Sequence, residues 1–450
     1  MPRVDFWGPA ESGNARGTIG MSTTAIPTVE QRGEAVPSPA LEPRGPATSP
    51  ASSDVLAATN HPISTTGNAR ERTVICFPFA GGIIGGSHVS AIELICSLDR
   101  MRFEPLVLLH RREGPLGELL RAKGINAELA PIEALSGSGL SALAQMVRHG
   151  PRLVRSAAAF LRDRRVRIVH TNEGPMHATW TLPARFAGAR HIWHHRGNPR
   201  ATGLRYVAPF LAHRVICVSR FATPAPGFLS ANRKSSVVFS PFDTTNAATD
   251  RQAARAMVID AIDVPADTLI LAFIGHFAKR KRPLIFIDTI AALRDADPAR
   301  PIVGLMFGEE FEPGQQALIE RRIDRLGLTG TVRLMGFRHP IEPWLAGSDL
   351  LIVPAVDEPF GRTLIEAMLL GTPVIAAASG GNLEAIRDSE TGILVPPDLP
   401  WEFARRVGRL MLDTTLARSI AARAQTEARA EYGIDRHGQA IAAICRESRT

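Results

Sequence analysis

From Thr73 onward the chain alternates short apolar runs with longer amphipathic stretches. The runs TVICFPFA (73–80), EPLVLLH (104–110), VRIVH (166–170), HIWHH (191–195) and RVICVS (214–219) lack strict polar alternation. Runs of that length and character predict parallel strands covered on both faces. Between them lie helical patterns, SHVSAIELICSL (87–98) and a long one over 139–164. A second series follows: LILAFIG (269–275), PIVGLMFG (301–308), VRLMGF (332–337), DLLIVPA (349–355), PVIAAA (373–378) and GILVPP (392–397). Two consecutive sets of strand–helix alternation predict two doubly wound, Rossmann-like α/β domains, 71–243 and 244–450. The hinge is expected near Pro241–Thr245, and the helical stretch 400–445 is counted with the second domain. Residues 1–70, rich in Pro, Ser, Thr, Ala and Gly, show no such periodicity. They are expected to form a disordered tail, because they bury too little surface to offset ordering entropy.

Composition narrows the class. Of 450 residues, 45% are hydrophobic and 21% charged, the balance of a soluble globular chain. No run of 18 apolar residues occurs, so no transmembrane helix is expected. The first thirty residues lack an apolar h-region, so no signal peptide is expected and the location is read as cytoplasmic. Cys76, Cys96, Cys217 and Cys445 are scattered, which fits reduced thiols better than a disulfide frame or a zinc site. The net charge of +8 is unevenly spread. Residues 1–70 carry −1, residues 71–245 carry +12 and residues 246–450 carry −3. A basic first half calls for an anionic partner. Among the cations, 48 are Arg and only 4 are Lys.

Chemistry should sit at the carboxyl ends of the strands, where glycine-rich turns lead into helix N-termini. The first such turn is Ala80-Gly81-Gly82-Ile83-Ile84-Gly85-Gly86-Ser87, with Ser87 placed to cap the helix. It has neither the GxGxxG spacing nor the P-loop lysine, so a dinucleotide or P-loop site is poorly supported. The richest constellation is Asp357-Glu358-Pro359-Phe360-Gly361-Arg362-Thr363-Leu364-Ile365-Glu366. It follows a buried strand and opens a helix, a setting whose free N–H groups suit a diphosphate. Its two carboxylates, eight positions apart, are acceptors for vicinal hydroxyls. Glu366 sits among apolar neighbours and therefore needs a partner. The third piece is Gly275-His276-Phe277-Ala278-Lys279-Arg280-Lys281-Arg282-Pro283. Two of the four lysines fall here, where a compact ammonium could meet a phosphate.

Over about 73–445 these residues resemble the retaining family 4 glycosyltransferases, which have the GT-B fold. In that family Glu-x7-Glu after a strand ending in Pro is the donor motif, matched by Glu358 and Glu366. The resemblance implies that Glu358 binds the donor sugar's hydroxyls as a catalytic residue and that Glu366 binds the nucleotide ribose. It places Phe360, Gly361, Thr363 and Leu364 along the sugar and diphosphate. Lys281 falls at the family's diphosphate lysine, where it would stabilise the leaving group. His276 stands where the family usually has Arg, so Arg280 or Arg282 would assist Lys281. Phe337, within Gly336-Phe337-Arg338, would face the base, and Gly380-Gly381 would form the pocket wall. Gly85 and Gly86 look like the family's Gly-Gly turn facing the donor phosphates. Asn172 stands where many members carry His, and Asn172, His194 and His195 are candidates for the acceptor cleft. Ser240-Pro241 replaces the family's Asn-Gly after the hinge strand.

The implied reaction is transfer from a nucleotide sugar to a glycan or lipid-linked acceptor with retained configuration, as in cell-envelope or exopolysaccharide synthesis. The leaving diphosphate would be stabilised by helix amides and lysine, with no metal or other cofactor expected. Asp295-Ala296-Asp297 precedes Pro298 at a helix end and does not read as a metal motif. An amphipathic basic stretch over 148–167, from Arg148 to Arg167, suggests peripheral contact with an anionic membrane. With 6% aromatics and no recognition motif, nucleic acid is not an expected partner. Two alternatives stay open: a nucleotide-sugar epimerase of the same fold, and a member that binds nucleotide sugar without turnover.

Overall fold

The computed structural model describes residues 72–81, 84–111, 113–135, 140–244 and 249–447. The expected tail 1–70, Gly82 and Ile83 of the first turn, the side chain of Arg148 and Thr245 of the expected hinge lie outside the described residues. The first sheet contains β1 (Thr73–Phe79), β2 (Phe103–Leu109), β3 (Ala127–Leu129), β4 (Val166–Thr171), β5 (Arg190–His195), β6 (Arg214–Cys217) and β7 (Ser235–Val237). The second contains β8 (Leu269–Ile274), β9 (Ile302–Phe307), β10 (Val332–Gly336), β11 (Leu350–Val353), β12 (Val374–Ala377) and β13 (Ile393–Val395).

Both sheets are parallel, ordered β3-β2-β1-β4-β5-β6-β7 and β10-β9-β8-β11-β12-β13. Each apolar run of the sequence is a strand, nine of them internal to a sheet and two, β10 and β13, at the edges of the second; six of the seven residues of β1 are buried. The two strands that no run announced, AEL at β3 and SSV at β7, are three-residue edges. An edge strand is half solvated and needs no apolar run. In each sheet the strand order reverses once, between β1 and β4 and between β8 and β11. Those switch points open the crevices in which doubly wound sheets take ligands.

Helices of the first half include α1 (Gly86–Ser97), α2 (Pro115–Ala122), α3 (Leu140–Asp163), α4 (Gly174–Ala187), α5 (Thr202–Tyr206) and α6 (Ala208–Leu211). In the second half α7 (Arg251–Ile262), α8 (Pro283–Ala296), α9 (Gln315–Arg325), α10 (Glu342–Gly347), α11 (Arg362–Leu369) and α12 (Asn382–Ala385) follow. The chain closes with α13 (Pro400–Leu412), α14 (Thr414–Glu431) and α15 (Ile434–Glu447).

The last helix departs from the expected partition. Ile441, Ile444 and Cys445 of α15 join Ile92 and Ile95 of α1 in the core beneath the first sheet. The final helix therefore belongs with the first domain, and the chain crosses between the halves twice, near 238–244 and near 432–434. At the crossings the Phe242 N–H donates to the Tyr432 carbonyl (2.9 Å). Phe239, Phe242, Phe360 and Tyr432 pack there with ring centroids 5.5–6.2 Å apart. Each such pair adds about 0.5–1.5 kcal/mol beyond its burial, so the crossing is a packed joint.

Candidate functional site

The second-half site is built on the loop from β11 to α11. Two glycines from the neighbouring strand's loop brace it. The Gly381 N–H donates to the Glu358 carbonyl (2.7 Å), and the Asp357 N–H donates to Ser379 Oγ (3.0 Å). A Cβ at Gly380, whose φ is +57°, would lie 2.7 Å from the Glu358 nitrogen and oxygen. The Gly380-Gly381 pair is thus the backing that lets Glu358 sit where it does.

The Glu358 side chain is 11% exposed and receives two cations from the turn after β8. Arg280 Nη1 lies 2.5 Å and Lys281 Nζ 2.8 Å from its Oε2. Burial alone would raise this carboxyl, but Lys281 and then Arg280 hold it down to about 2. The Lys281 stem passes Gly275, where a Cβ would stand 3.5 Å away. Glu366, one turn into α11, has the partner its apolar neighbours required: Arg362 Nε donates to its Oε1 (3.3 Å). Burial pushes the Glu366 carboxyl up, against the pull of Arg362.

Arg362 also reaches across to the first half. Its Nη1 donates to Ser90 Oγ (2.8 Å) and to the Pro241 carbonyl (3.1 Å). Its guanidinium lies 4.2 Å from the Phe242 ring centroid. A Cβ on Gly86 would come within 2.7 Å of Arg362 Cδ, so the glycine makes room for this crossing. Two further bridges bring the halves together. Ser219 Oγ donates to the Pro359 carbonyl, and Glu384 accepts from the Arg220 and Phe221 N–H groups (2.8 and 2.6 Å).

On the first-half side the glycine turn is held by a relay. Gly85, not Ser87, is the N-cap of α1, and its N–H donates to His88 Nδ1 (3.0 Å). His88 Nε2 faces Glu173 Oε1 at 3.1 Å, and that oxygen also accepts from the Ala80 N–H (3.4 Å). Beyond the end of β4, Asn172 is 3% exposed and takes Arg196 on its Oδ1. Three imidazoles stack beside them: His170 and His194 have centroids 5.3 Å apart, and His194 and His437 6.1 Å apart. Burial, then Arg196, lowers His170 and His194 well below the usual histidine range, and lowers His437 to about 4.

Several residues sit differently from expectation. The Phe360 ring is buried in the joint with Tyr432 and does not lie open along a sugar path. Leu364 is fully buried core, which leaves only its backbone for a ligand. Its N–H already donates to the Gly361 carbonyl (3.1 Å). His194 is 0% exposed, within the histidine column. His195 is tied to the Asn198 carbonyl (2.9 Å), so neither ring lines an open cleft. Strand alternation puts adjacent rings on opposite faces of β5, and both faces are covered. Gly361 is the N-cap of α11 and Thr363 is half-buried in its first turn.

His276 is exposed beside Phe311, ring centroids 5.4 Å apart. Phe337 and Phe311, 62% and 63% exposed, follow the carboxyl ends of neighbouring β10 and β9. The sequence reading missed Phe311, His88, Glu173, Arg196 and His437. The signal for Arg196 was an arginine directly after a buried strand. His437 comes from a helix no local pattern ties to this place. Among the described residues no group of three or more His, Cys, Asp and Glu is arranged to hold a metal.

Residues 268–413 match the family model described as glycosyl transferases group 1. The D-inositol 3-phosphate glycosyltransferase of Streptomyces bingchenggensis is 34% identical over 209 residues, 44% of either chain. Its counterpart from Salinispora arenicola is 34% identical over 214 residues, 44% of this chain and 47% of its own. The chain thus matches less than half the length of these curated relatives. Among solved structures, Anabaena Alr3699/HepE in complex with UDP-glucose superposes with a TM-score of 0.69 at 23% identity, over 84% of this chain and all of that one. A glycosyltransferase from Rickettsia africae gives 0.68 at 20% identity, over 84% and 99%. These likenesses establish the GT-B arrangement of the two sheets. The second half is thus matched as a glycosyl transferases group 1 domain, and both halves take the GT-B fold.

Proposed function

We propose that this protein transfers a sugar, with retained anomeric configuration, from a nucleotide-sugar donor to a glycan or lipid-linked acceptor in cell-envelope or exopolysaccharide synthesis. The observation that carries this reading is the Glu358 carboxylate, held by Lys281 and Arg280 beyond the strand end, with Glu366 one helical turn inside α11. A donor diphosphate would compete with Glu358 for the two cations. Once displaced, the carboxylate would be free to accept from sugar hydroxyls, while the cations meet the charge that develops on the leaving group. The exposed Phe311 and Phe337 offer faces for a base. The reading is in keeping with relatives named for sugar transfer and with a neighbour bound to UDP-glucose.

Peripheral contact with an anionic membrane has support in an open groove of about 470 Å³ between α3 and α4. Leu153, Val154, Leu182 and Phe186 line it, with Arg155 and Arg162 beside them. Apolar side chains rimmed by arginine suit the interface of an anionic leaflet. Vesicles containing phosphatidylglycerol should bind the protein and neutral ones should not; equal partitioning to both would dismiss the contact.

A thermal-shift panel of UDP-, GDP- and ADP-sugars identifies the nucleotide. Radiolabelled donor with membrane extract then tests transfer. Glu366→Ala should abolish transfer while the fold stays intact, and unchanged transfer would refute the donor-site assignment. Saturable donor binding with no transfer by the unaltered protein would favour a binding protein without turnover.

A further inference from the structure

Arg362 is the first residue of α11 and Glu366 stands one turn further on, so the two share a face of the helix. Among the described residues Arg362 is the one side chain that hydrogen-bonds the Glu366 carboxylate, with Nε donating to Oε1 (3.3 Å). Within a helix such a pair holds little. With the cation on the N-terminal side it runs against the helix dipole, the weaker of the two orders. A glutamate side chain held by that contact alone would keep much of its rotamer freedom.

What fixes Arg362 comes from the other half of the chain. Nη1 donates to Ser90 Oγ on α1 (2.8 Å) and to the Pro241 carbonyl at the first crossing (3.1 Å). Ser90 is fully buried, and its one hydroxyl proton goes to the Gly86 carbonyl (2.9 Å), so its lone pairs face the guanidinium. The guanidinium also lies 4.2 Å from the centroid of Phe242, a buried ring packed beside Phe360 and Tyr432. Glu93 Oε2, 3.9 Å from Nη1, is outside hydrogen-bond reach. The fork is therefore divided. Its Nη1 end is pinned in the first half, and its Nε end is aimed at Glu366 in the second. Because a guanidinium is planar and rigid, fixing one end sets the direction of the other.

We propose that Arg362 is a positioning residue for Glu366, anchored across the interface by Ser90, so that residues of the first half set how tightly the second half holds the ribose of a nucleotide. The proposal rests on the donor-site reading, in which Glu366 accepts from the ribose hydroxyls. Arg362 acts through Glu366, and Ser90 acts through Arg362. A carboxylate already oriented loses less freedom when the hydroxyls arrive, and that difference strengthens binding of the ribose alone. With Ser90 replaced, Glu366 keeps its charge and its place on the helix but loses its fixed direction.

The test separates ribose recognition from diphosphate binding. UDP, GDP and ADP are titrated by calorimetry into the full chain, each beside its 2′,3′-dideoxy counterpart, which lacks the hydroxyls and keeps the diphosphate. The unaltered protein should prefer the ribose form of the nucleotide it binds by about tenfold or more, the loss expected when a charged acceptor is left without its donor. Ser90→Ala, which removes one hydroxyl in the first half, should cut that preference by about threefold or more. Arg362→Leu, which keeps apolar bulk against Phe242, should abolish it. In both variants the affinity for the dideoxy form should hold within about twofold. A variant that merely loosened the fold would weaken both forms alike and leave their ratio as it was.

A preference unchanged in Ser90→Ala or in Arg362→Leu, or an equal fall for both forms, would overturn the proposal. If Arg362→Leu does not fold, Ser90→Ala decides by the same ratio. Equal affinity of the unaltered protein for both forms would take Glu366 away from the ribose and overturn the proposal, with the diphosphate reading left in place. Failure of all three nucleotides to bind the folded protein would instead overturn the donor-site reading.

Discussion

Replacing Glu358 by Gln keeps the shape of the side chain and removes its charge from between Lys281 and Arg280. The ordinary glutamate value of 4.5 and the folded value of about 2 differ by an amount equivalent to about 3 kcal/mol, at 1.36 kcal/mol per tenfold change in proton affinity. Arg280 is 42% exposed, so solvent screens its share, and a loss of roughly 2–3 kcal/mol is expected. The sign follows from the depressed folded value. The stabilisation is fully present above pH 4.5 and is lost as pH falls from 4.5 towards 2. The gap between parent and variant should therefore be constant from pH 6.5 to 8.5 in urea denaturation. A double-mutant cycle with Lys281→Met should recover a coupling of about 1–3 kcal/mol. Because the variant frees two cations for a diphosphate, UDP should bind at least as tightly while sugar transfer falls by about a hundredfold or more. A gap below about 0.5 kcal/mol, or a loss of UDP affinity, would refute the reasoning.

Two further outcomes follow from groups around the cleft. Arg362→Ala removes charge-assisted hydrogen bonds to Ser90, Pro241 and Glu366 and the stack on Phe242. A loss of about 3 kcal/mol is expected, with a larger radius of gyration by X-ray scattering, and Arg362→Lys should restore little of either. Unchanged stability and scattering would dismiss the crossing as incidental. Burial lowers His191 to about 3 and His195 and His437 to about 4, so all three stay neutral in the folded chain. Their contribution is whole above pH 6.5 and is lost as pH falls from 6.5 towards 4, at about 1.4 kcal/mol per pH unit for each. The melting temperature should drop steeply between pH 7 and pH 5, and a flat profile would contradict the assignment.

Much of this molecule is local in its sequence. A buried parallel strand needs an unbroken apolar run, so eleven of the strands could be read directly, and with them the doubly wound class. Glu358, Glu366 and Lys281 stood out as candidates for the same reason, since each follows a run and a strand's carboxyl end is where such folds expose side chains. What remained hidden depends on contacts between distant segments. The β3 and β7 edges carry no run because their short strands are almost wholly solvent-exposed, unlike the edges β10 and β13. Helix α15 shows an amphipathic face, but no spacing says which sheet that face covers, and it returns to the first.

The same limit explains the site. The family resemblance implied that Phe360 lies along a donor, yet only packing could show that Phe239, Phe242 and Tyr432 surround its ring. Nor could the sequence reveal that Arg362 crosses to Ser90, or that a half-buried Arg196 meets only neutral hydrogen-bond partners. Periodicity records how each segment meets its own sheet. Which charge is left without a partner depends on the desolvation and geometry created when the two halves close together, and that is decided only in three dimensions.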